Sequence, residues 1–261
     1  MKKSNNHILW INPVNAMVDV DQLIVENINS VKQDDTTVDV VSLKRGPRHL
    51  NYYYYDALIL TDTLNLIKKA EKEKYDAAII GCFYDPGLRE AREITDQIVI
   101  SAPAEASIFI AAGLGYRFSI VVSSNKCIPK MHENLVNYGL INRLASFESI
   151  NLEVYDFQKD KRKTFYKILQ AAERAVYQKN AEVIILGCTM QVGFYKALQD
   201  SLKIPVIDSV IASLKYAEFM IELRKKFNWV HSKVCSYKSP PISEIKEWNL
   251  SNQYPGMEDL W

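Results

Sequence analysis

Short apolar runs rich in β-branched residues alternate with longer amphipathic stretches along almost the whole chain. Each apolar run is three to six residues long, which is the length of a strand, and each amphipathic stretch repeats with the period of a helix. Continuous apolar strands are typical of parallel sheets that helices cover on both faces. The alternation therefore predicts an α/β fold built from βα units around mainly parallel sheets.

This alternation defines a set of predicted elements. Strands are predicted at residues 7–11, 38–43, 77–80, 98–100, 118–122, 152–157, 183–186 and 205–208. Helices are predicted at residues 57–72, 86–95, 104–114, 130–138, 161–178, 191–201 and 209–224. With 261 residues, the chain is long enough for one large unit or for two packed lobes of ordinary size.

The second half of the chain repeats the order of elements found in the first half. Two pairs of strands and one pair of cysteines match at similar offsets: residues 8–11 with 119–122, residues 38–41 with 152–155, and Cys82 with Cys188. A helix and a further strand follow each cysteine in both halves. We interpret this order as a duplication that gives two pseudo-symmetric α/β lobes.

Each predicted lobe contains a mainly parallel four-stranded sheet flanked by helices. The first lobe comprises residues 1–100 and 209–261, and the second comprises residues 101–208. Ligands of open α/β sheets bind outside the carboxyl ends of the strands. The active site is therefore expected in a cleft between the lobes. Loops after equivalent strands then face this cleft in pairs: Asn12 with Ser123, and Cys82 with Cys188.

Two thiols at equivalent strand ends are suited to proton transfer on opposite faces of one carbon atom. The pKa of a free thiol is about 8.5, and the amide groups of a helix N-terminus lower it. Cys82 and Cys188 both precede predicted helices, and Gly81 and Gly187 let the backbone approach a ligand closely. One thiolate removes a proton next to a carbonyl group and one thiol returns a proton to the other face, so the pair can invert a stereocentre without a cofactor.

The charge and the cysteine content exclude several classes of protein. The 32 basic and 31 acidic residues leave a net charge of +1, which fits neither nucleic acid nor an anionic membrane as partner. The four cysteines have no CxxC spacing, so neither a metal site nor a disulfide framework is predicted. The first apolar run is too short for a signal peptide or a membrane span, and the nucleotide-binding motifs GxGxxG and GxxxxGK[ST] are absent. We therefore expect a cytoplasmic protein with a small-molecule substrate, no cofactor and no metal.

Several segments carry a resemblance to a known family. They are INP at residues 11–13, GCFYDPGLREAREI at residues 81–94, EAS at residues 105–107, GYRFSIVVSS at residues 115–124, LGCTM at residues 186–190 and SKVCSYKSPP at residues 232–241. Together they resemble the Asp/Glu/hydantoin racemase superfamily over nearly the whole chain, and its hydantoin and allantoin racemase branch most closely. The pattern GCFxDPGL followed by GCT at this separation is specific.

The resemblance implies a fold and an activity. The fold has two pseudo-symmetric α/β lobes, and the activity is cofactor-independent racemisation with Cys82 and Cys188 as the base and acid pair. The proton removed from a 5-substituted hydantoin or from allantoin is on C5, next to the C4 carbonyl group. By motif position, the implied substrate-binding residues are Asn12, Phe83, Ser123 and Thr189. Because family members commonly assemble, a homo-oligomer is expected.

Two other functions stay open at the level of the sequence. One is a cysteine-dependent isomerase or decarboxylase of small dicarboxylates, for example a maleate isomerase; a decarboxylase is expected to use a single active thiol. The other is a non-catalytic two-lobed binder, which would bind its ligand without catalysing proton exchange with solvent.

Three further features lie outside this scheme. Asp85 precedes a proline, which is a usual helix-start signal, so it is predicted to cap the helix at residues 86–95. Cys127 has no repeat partner and is interpreted as structural. The four tyrosines at residues 52–55 suit an oligomer interface, a pocket wall or packing within the monomer.

Overall fold

The computed structural model describes residues 6–16, 18–257 and 260 of the chain. Its strands are β1 (Asn6–Asn12), β2 (Thr36–Ser42), β3 (Ala77–Ile80), β4 (Val99–Ser101), β5 (Phe118–Val122), β6 (Leu144–Ser149), β7 (Val183–Leu186) and β8 (Val206–Asp208). Its α-helices are α1 (Val18–Val31), α2 (Tyr53–Lys72), α3 (Leu88–Ile94), α4 (Pro103–Leu114), α5 (Ile128–Asn137), α6 (Lys161–Lys179), α7 (Tyr195–Leu202), α8 (Ser209–Phe227), α9 (Ile242–Glu247) and α10 (Leu250–Gln253). Within the described residues, no helix is both long and apolar enough to cross a membrane.

The described residues group into two compact units. The first unit draws its residues from Met1–Gly81, Pro86–Ser101 and Leu214–Trp261. The second unit consists of Cys82–Asp85 and Ala102–Ser213. The short segment that begins with Cys82 therefore belongs to the same compact unit as Cys188.

The first unit is built on a parallel sheet with the strand order β2-β1-β3-β4. Strand β3 is buried along its whole length, and helices α1, α2 and α3 pack on the strands. The buried isoleucines of α1 are Ile24 and Ile28, and those of α2 are Ile59 and Ile67. These spacings of four and eight residues place each pair on one face of its helix, which is the face that covers the sheet.

The second unit is built on a parallel sheet with the strand order β6-β5-β7-β8. Strands β5 and β7 are buried at every residue. Helix α6 packs on β5 and β6 and contributes Ile168 and Ala172 to the core, together with Phe157 from the loop before the helix. Burial on both faces explains why the two central strands are continuously apolar in sequence.

The two sheets have the same strand order relative to the chain. In each, the first strand lies between the second and the third, and the fourth lies at the far edge. The prediction of an α/β fold with two parallel four-stranded sheets flanked by helices is confirmed. Cys82 and Cys188 follow the third strand of their respective sheets, β3 and β7, after one glycine each.

One predicted strand is wrong. The strand predicted at residues 152–157 is a loop with the 3₁₀ turn Val154–Asp156, and the edge strand that pairs with β5 is β6. The alignment of residues 38–41 with residues 152–155 is wrong for the same reason, since β2 corresponds to β6. Strand β6 lies at the sheet edge with five of its six residues only partly buried, so it carries little apolar signal. The apolar residues of the loop are instead anchors that pack on the core.

Several helix assignments also differ from the sequence-based prediction: α2 begins at Tyr53 rather than at residue 57, and α9 and α10 were not predicted. The helix predicted from Gln191 begins only at Tyr195, because the 3₁₀ turn Thr189–Gln191 intervenes. Helix α1 was not predicted either. Its first residues alternate Val and Asp, and this two-residue alternation resembles a strand more than a helix.

Candidate active site

Cys82 lies in a tight turn rather than at the start of a helix. The turn Cys82–Asp85 is closed by a hydrogen bond of 2.9 Å from the Asp85 amide to the Cys82 carbonyl oxygen. Asp85 has a left-handed backbone with φ of 48°, and helix α3 begins only after Gly87, which also has positive φ. The expectation that helix amides follow Cys82 directly is therefore wrong. The Cys82 side chain is half-buried.

Asp85 fixes this turn to a different helix from the one predicted. Its buried carboxylate accepts hydrogen bonds of 2.8 Å from the amides of Ala104 and Glu105, at the start of α4, and one of 2.7 Å from the Tyr138 hydroxyl. The prediction that Asp85 caps the helix at residues 86–95 is wrong, since it caps α4. Burial raises the pKa of Asp85 to about 7, although the three hydrogen bonds act to lower it.

Cys188 follows β7 and Gly187 and begins the 3₁₀ turn Thr189–Gln191. A Cβ atom at position 187 would lie 2.6 Å from Ile120 Cγ2, so glycine allows this turn to pack on strand β5. Burial raises the pKa of the Cys188 thiol to about 12, while the amides of Met190 and Gln191 act to lower it. The amides expected from the sequence are present, but burial outweighs them, so Cys188 is a neutral thiol.

The loop after Cys188 is also held by a buried carboxylate at a helix start. Asp208, the last residue of β8, accepts hydrogen bonds from the Gly193 amide at 2.9 Å and from the Val210 amide at 3.0 Å. Burial raises the pKa of Asp208 to about 6. Asp85 and Asp208 therefore have equivalent roles, since each connects a cysteine loop to the first turn of a helix.

The loop after β5 brings a third thiol to the site. Cys127 is buried, and its Sγ atom lies 3.0 Å from Ser123 Oγ and 3.7 Å from Ser124 Oγ. Tyr84, in the Cys82 turn, is also buried, and Cys127 contributes to the raised pKa of its hydroxyl group. Of these residues, the sequence motifs indicated Ser123 alone.

The Tyr84 hydroxyl interacts electrostatically with all three thiols. Burial raises the pKa of its hydroxyl well above the ordinary value, and charge on Cys127, Cys82 or Cys188 raises it further. All four residues belong to the second unit. Tyr84 occupies the variable position of GCFxDPGL, so the motif itself gave no reason to select it.

The other predicted residues have different surroundings. Phe83 is buried and Thr189 is half-buried, both in the second unit. Asn12 belongs to the first unit, where its Oδ1 atom accepts a hydrogen bond from Trp10 and its Nδ2 atom donates to Asp21 and Ser42. The structure thus groups Phe83, Ser123 and Thr189 with the cysteines in one unit, whereas Asn12 lies in the other.

Comparison with known proteins identifies relatives over most of the chain. The family model described as Asp/Glu/Hydantoin racemase matches residues 8–217. The hydantoin racemase of Pseudomonas sp. strain NS671 is 37% identical over 90% of this chain and 92% of its own length. The hydantoin racemase of Paenarthrobacter aurescens is 35% identical over 89% of this chain and 97% of its own length.

A solved structure agrees with these relatives. The allantoin racemase from Klebsiella pneumoniae superposes with a TM-score of 0.84 and 26% identity, over 91% of this chain and 94% of that one. The family model, the sequence relatives and the shared fold lead to one conclusion: the chain belongs to the Asp/Glu/hydantoin racemase family.

Proposed function

We propose that this protein is a cofactor-independent racemase of 5-substituted hydantoins or of allantoin, with Cys82 and Cys188 as its two catalytic groups. The observation that carries the proposal is a pair of half-buried thiols after the equivalent strands β3 and β7, both electrostatically coupled to Tyr84. The names of the relatives, hydantoin racemase and allantoin racemase, support this class of substrate.

The reaction needs one base and one acid. The thiolate of one cysteine removes the proton from C5, and the electron pair of the C–H bond moves into the ring to give an enolate at the C4 carbonyl oxygen. The thiol of the other cysteine then donates its proton to the opposite face of C5, and the carbonyl group re-forms. The product is the opposite enantiomer, and the two cysteines have exchanged their protonation states.

The environment of Cys188 suits the acid in the first half of this cycle. Because burial raises its pKa to about 12, Cys188 holds its proton in the free protein. After it donates that proton, the amides of Met190 and Gln191 stabilise the thiolate that remains. Cys82 is then the base that starts this direction of the reaction.

The substrate-binding residues that we propose are Asn12, Phe83, Ser123 and Thr189. Phe83 offers an apolar surface to the substituent on C5, and the hydroxyl groups of Ser123 and Thr189 offer hydrogen bonds to the ring. We further propose that the enzyme works in the cytoplasm, where thiols stay reduced.

We also propose that the enzyme is a homo-oligomer. The exposed aromatic side chains of Tyr52, Tyr53 and Tyr54 at the start of α2 are suited to a contact between copies. A single monomeric mass in light scattering at micromolar concentration would contradict the oligomer.

The function is tested by chiral chromatography of pure enantiomers of a 5-substituted hydantoin and of allantoin after incubation with the purified protein. The wild type should racemise at least one of these compounds without added cofactor. The Cys82→Ser and Cys188→Ser variants should each lose racemisation, because each lacks one of the two groups. The matched control is Cys235→Ala, which removes an exposed thiol of the first unit and should keep wild-type activity.

The same assay distinguishes the alternative functions. Turnover of maleate or of an arylmalonate, with no change in hydantoins or allantoin, would replace the racemase with a dicarboxylate enzyme. Ligand binding without turnover of any of these compounds would indicate a non-catalytic binder.

A further inference from the structure

One peptide group, between Tyr84 and Asp85, fixes the shape of the turn that carries Cys82. Its N–H donates a hydrogen bond of 2.9 Å to the Cys82 carbonyl oxygen, which closes the turn. Its C=O accepts a hydrogen bond of 2.9 Å from the side-chain amide of Asn134 in α5. The first bond lies within the turn, whereas the second comes from outside and connects the turn to α5.

The turn that carries Cys188 is held in the same way. The peptide group between Met190 and Gln191 donates through its N–H to the Cys188 carbonyl oxygen at 2.9 Å. Its C=O accepts a hydrogen bond of 2.9 Å from the side-chain amide of Gln158, which also donates to the Val192 carbonyl oxygen at 3.4 Å. In both turns, the carbonyl group that a side-chain amide holds belongs to the second residue after the cysteine.

The two side-chain amides come from different parts of the second unit. Asn134 lies in α5 between the buried residues Met131 and Leu135, and Gln158 follows the buried Phe157 in the loop before α6. Helix α5 comes after the first strand of the sheet, and the Gln158 loop comes after the second strand. The two residues are not equivalent in the repeat, so the duplication alone does not explain why both turns have the same contact.

We propose that Asn134 and Gln158 are positioning residues of the two-thiol reaction, Asn134 for Cys82 and Gln158 for Cys188. This inference rests on the proposed function, which assigns the proton transfers to these two thiols. Proton transfer depends steeply on the distance between the reacting atoms, and a displacement of about 1 Å can lower a rate by a factor of roughly 100. A turn whose peptide group is held at both its N–H and its C=O keeps the sulfur atom in place while the thiol gains or loses its proton.

The test needs a measurement that separates the two thiols. The equilibrium constant of a racemisation is one, so displacement of either thiol lowers kcat/KM equally for both enantiomers in the intact enzyme. Proteins with one thiol left avoid this coupling. Cys188→Ser retains Cys82, and Cys82→Ser retains Cys188, so each should exchange the C5 proton of a different enantiomer with D2O.

The expected result is a reversal of effects between these two parent proteins. In Cys188→Ser, the added change Asn134→Leu should slow C5 exchange about tenfold or more, and Gln158→Met should change it by less than about twofold. In Cys82→Ser, Gln158→Met should be the slow variant and Asn134→Leu the neutral one. Leu and Met are close in size to Asn and Gln but lack the N–H donor, so loss of the hydrogen bond is the main change.

Each variant has a matched control in the same unit. Asn137→Leu changes an exposed asparagine at the end of α5, and Gln178→Met changes an exposed glutamine in α6. Both should exchange at the rate of their parent proteins. Exchange at the parent rate in Asn134→Leu and Gln158→Met would overturn the inference. Equal slowing by these two variants in both parents would also overturn it, because that result indicates a general structural defect.

A second measurement tests the same contacts without catalysis. Iodoacetamide labelling of each thiol, followed by peptide mass spectrometry, is compared in proteins that keep both cysteines. Asn134→Leu should speed the labelling of Cys82 about threefold or more without changing that of Cys188, because a loosened turn exposes its own thiol. Gln158→Met should do the opposite, and labelling without this pattern would overturn the inference. If neither single-thiol protein exchanges, the proposed function fails, and the labelling pattern alone decides the inference.

Discussion

Replacement of Asp85 by alanine should destabilise the protein far more than loss of an ordinary helix cap. The change leaves the amides of Ala104 and Glu105 without their acceptor, and each buried unsatisfied donor costs about 1–3 kcal/mol. Removal of a buried carboxylate offsets part of this loss. We expect the free energy of unfolding to fall by about 2–4 kcal/mol, which lowers Tm by roughly 5–15 °C in a chain of this size.

The matched control is Asp160→Ala, because the exposed Asp160 caps α6 and its side chain accepts one hydrogen bond of 2.9 Å from the Lys163 amide. Loss of this cap should cost only about 1 kcal/mol. Thermal and urea unfolding, followed by circular dichroism, compare the two variants. Equal losses of stability in Asp85→Ala and Asp160→Ala would refute the reasoning that the buried carboxylate holds the Cys82 turn.

The pKa of Asp85 gives the same prediction a pH dependence. Its folded-state value of about 7 lies above the ordinary value of 3.8, so the folded state binds the proton more tightly than the unfolded state. The tighter binding of the Asp85 proton therefore stabilises the folded state fully below pH 4, and this stabilisation is lost as the pH rises to about 7. Asp85→Asn cannot ionise, so its stability relative to the wild type should increase by about 2 kcal/mol between pH 5 and pH 7, at about 1.4 kcal/mol per pH unit. A difference that does not change over this range would contradict the assignment.

Two further predictions concern the Cys188 loop. Gly187→Ala should lower the free energy of unfolding by about 1–3 kcal/mol, because its Cβ would lie 2.9 Å from the Val121 carbonyl oxygen. The control is Gly113→Ala in α4, whose added Cβ meets nothing within 4 Å, so it should raise the free energy of unfolding by about 0.5–1 kcal/mol. Equal stabilities of the two variants in urea unfolding would count against the close packing of Gly187 on strand β5. Iodoacetamide at pH 8 should label the exposed Cys235 at least ~100-fold faster than Cys188, whose pKa is raised to about 12. Similar labelling rates by mass spectrometry would contradict the raised pKa of Cys188.

The parts of the fold that depend on burial were predictable from the sequence. Strands β5 and β7 are buried on both faces, so their apolar runs gave correct bounds at residues 118–122 and 183–186. Strand β6 was missed because an edge strand needs few apolar residues, and the anchors Leu152 and Phe157 produced a false signal nearby. Local patterns report burial, and they do not distinguish a strand from a loop that is anchored in the core.

In the candidate site, too, some features were predictable from the sequence and others were not. Cys82 and Cys188 were accessible to sequence reasoning because the duplication places them after equivalent strands. Asp85 was identified as a cap, but its partner helix was wrong, since a side chain in a left-handed turn can reach a helix that is distant in sequence. Cys127 has no counterpart in the repeat, and its contact of 3.0 Å with Ser123 Oγ forms in a 3₁₀ turn that the apolar pattern does not indicate.

The most direct test of the central claim is deuterium uptake at C5 from D2O, measured by NMR for each pure enantiomer of a racemised hydantoin. The wild type should incorporate deuterium from both enantiomers as it racemises them. With one thiol left, Cys82→Ser should exchange the C5 proton of one enantiomer without inverting it, and Cys188→Ser should do so only with the other. Racemisation at the wild-type rate in either variant would contradict the two-thiol mechanism.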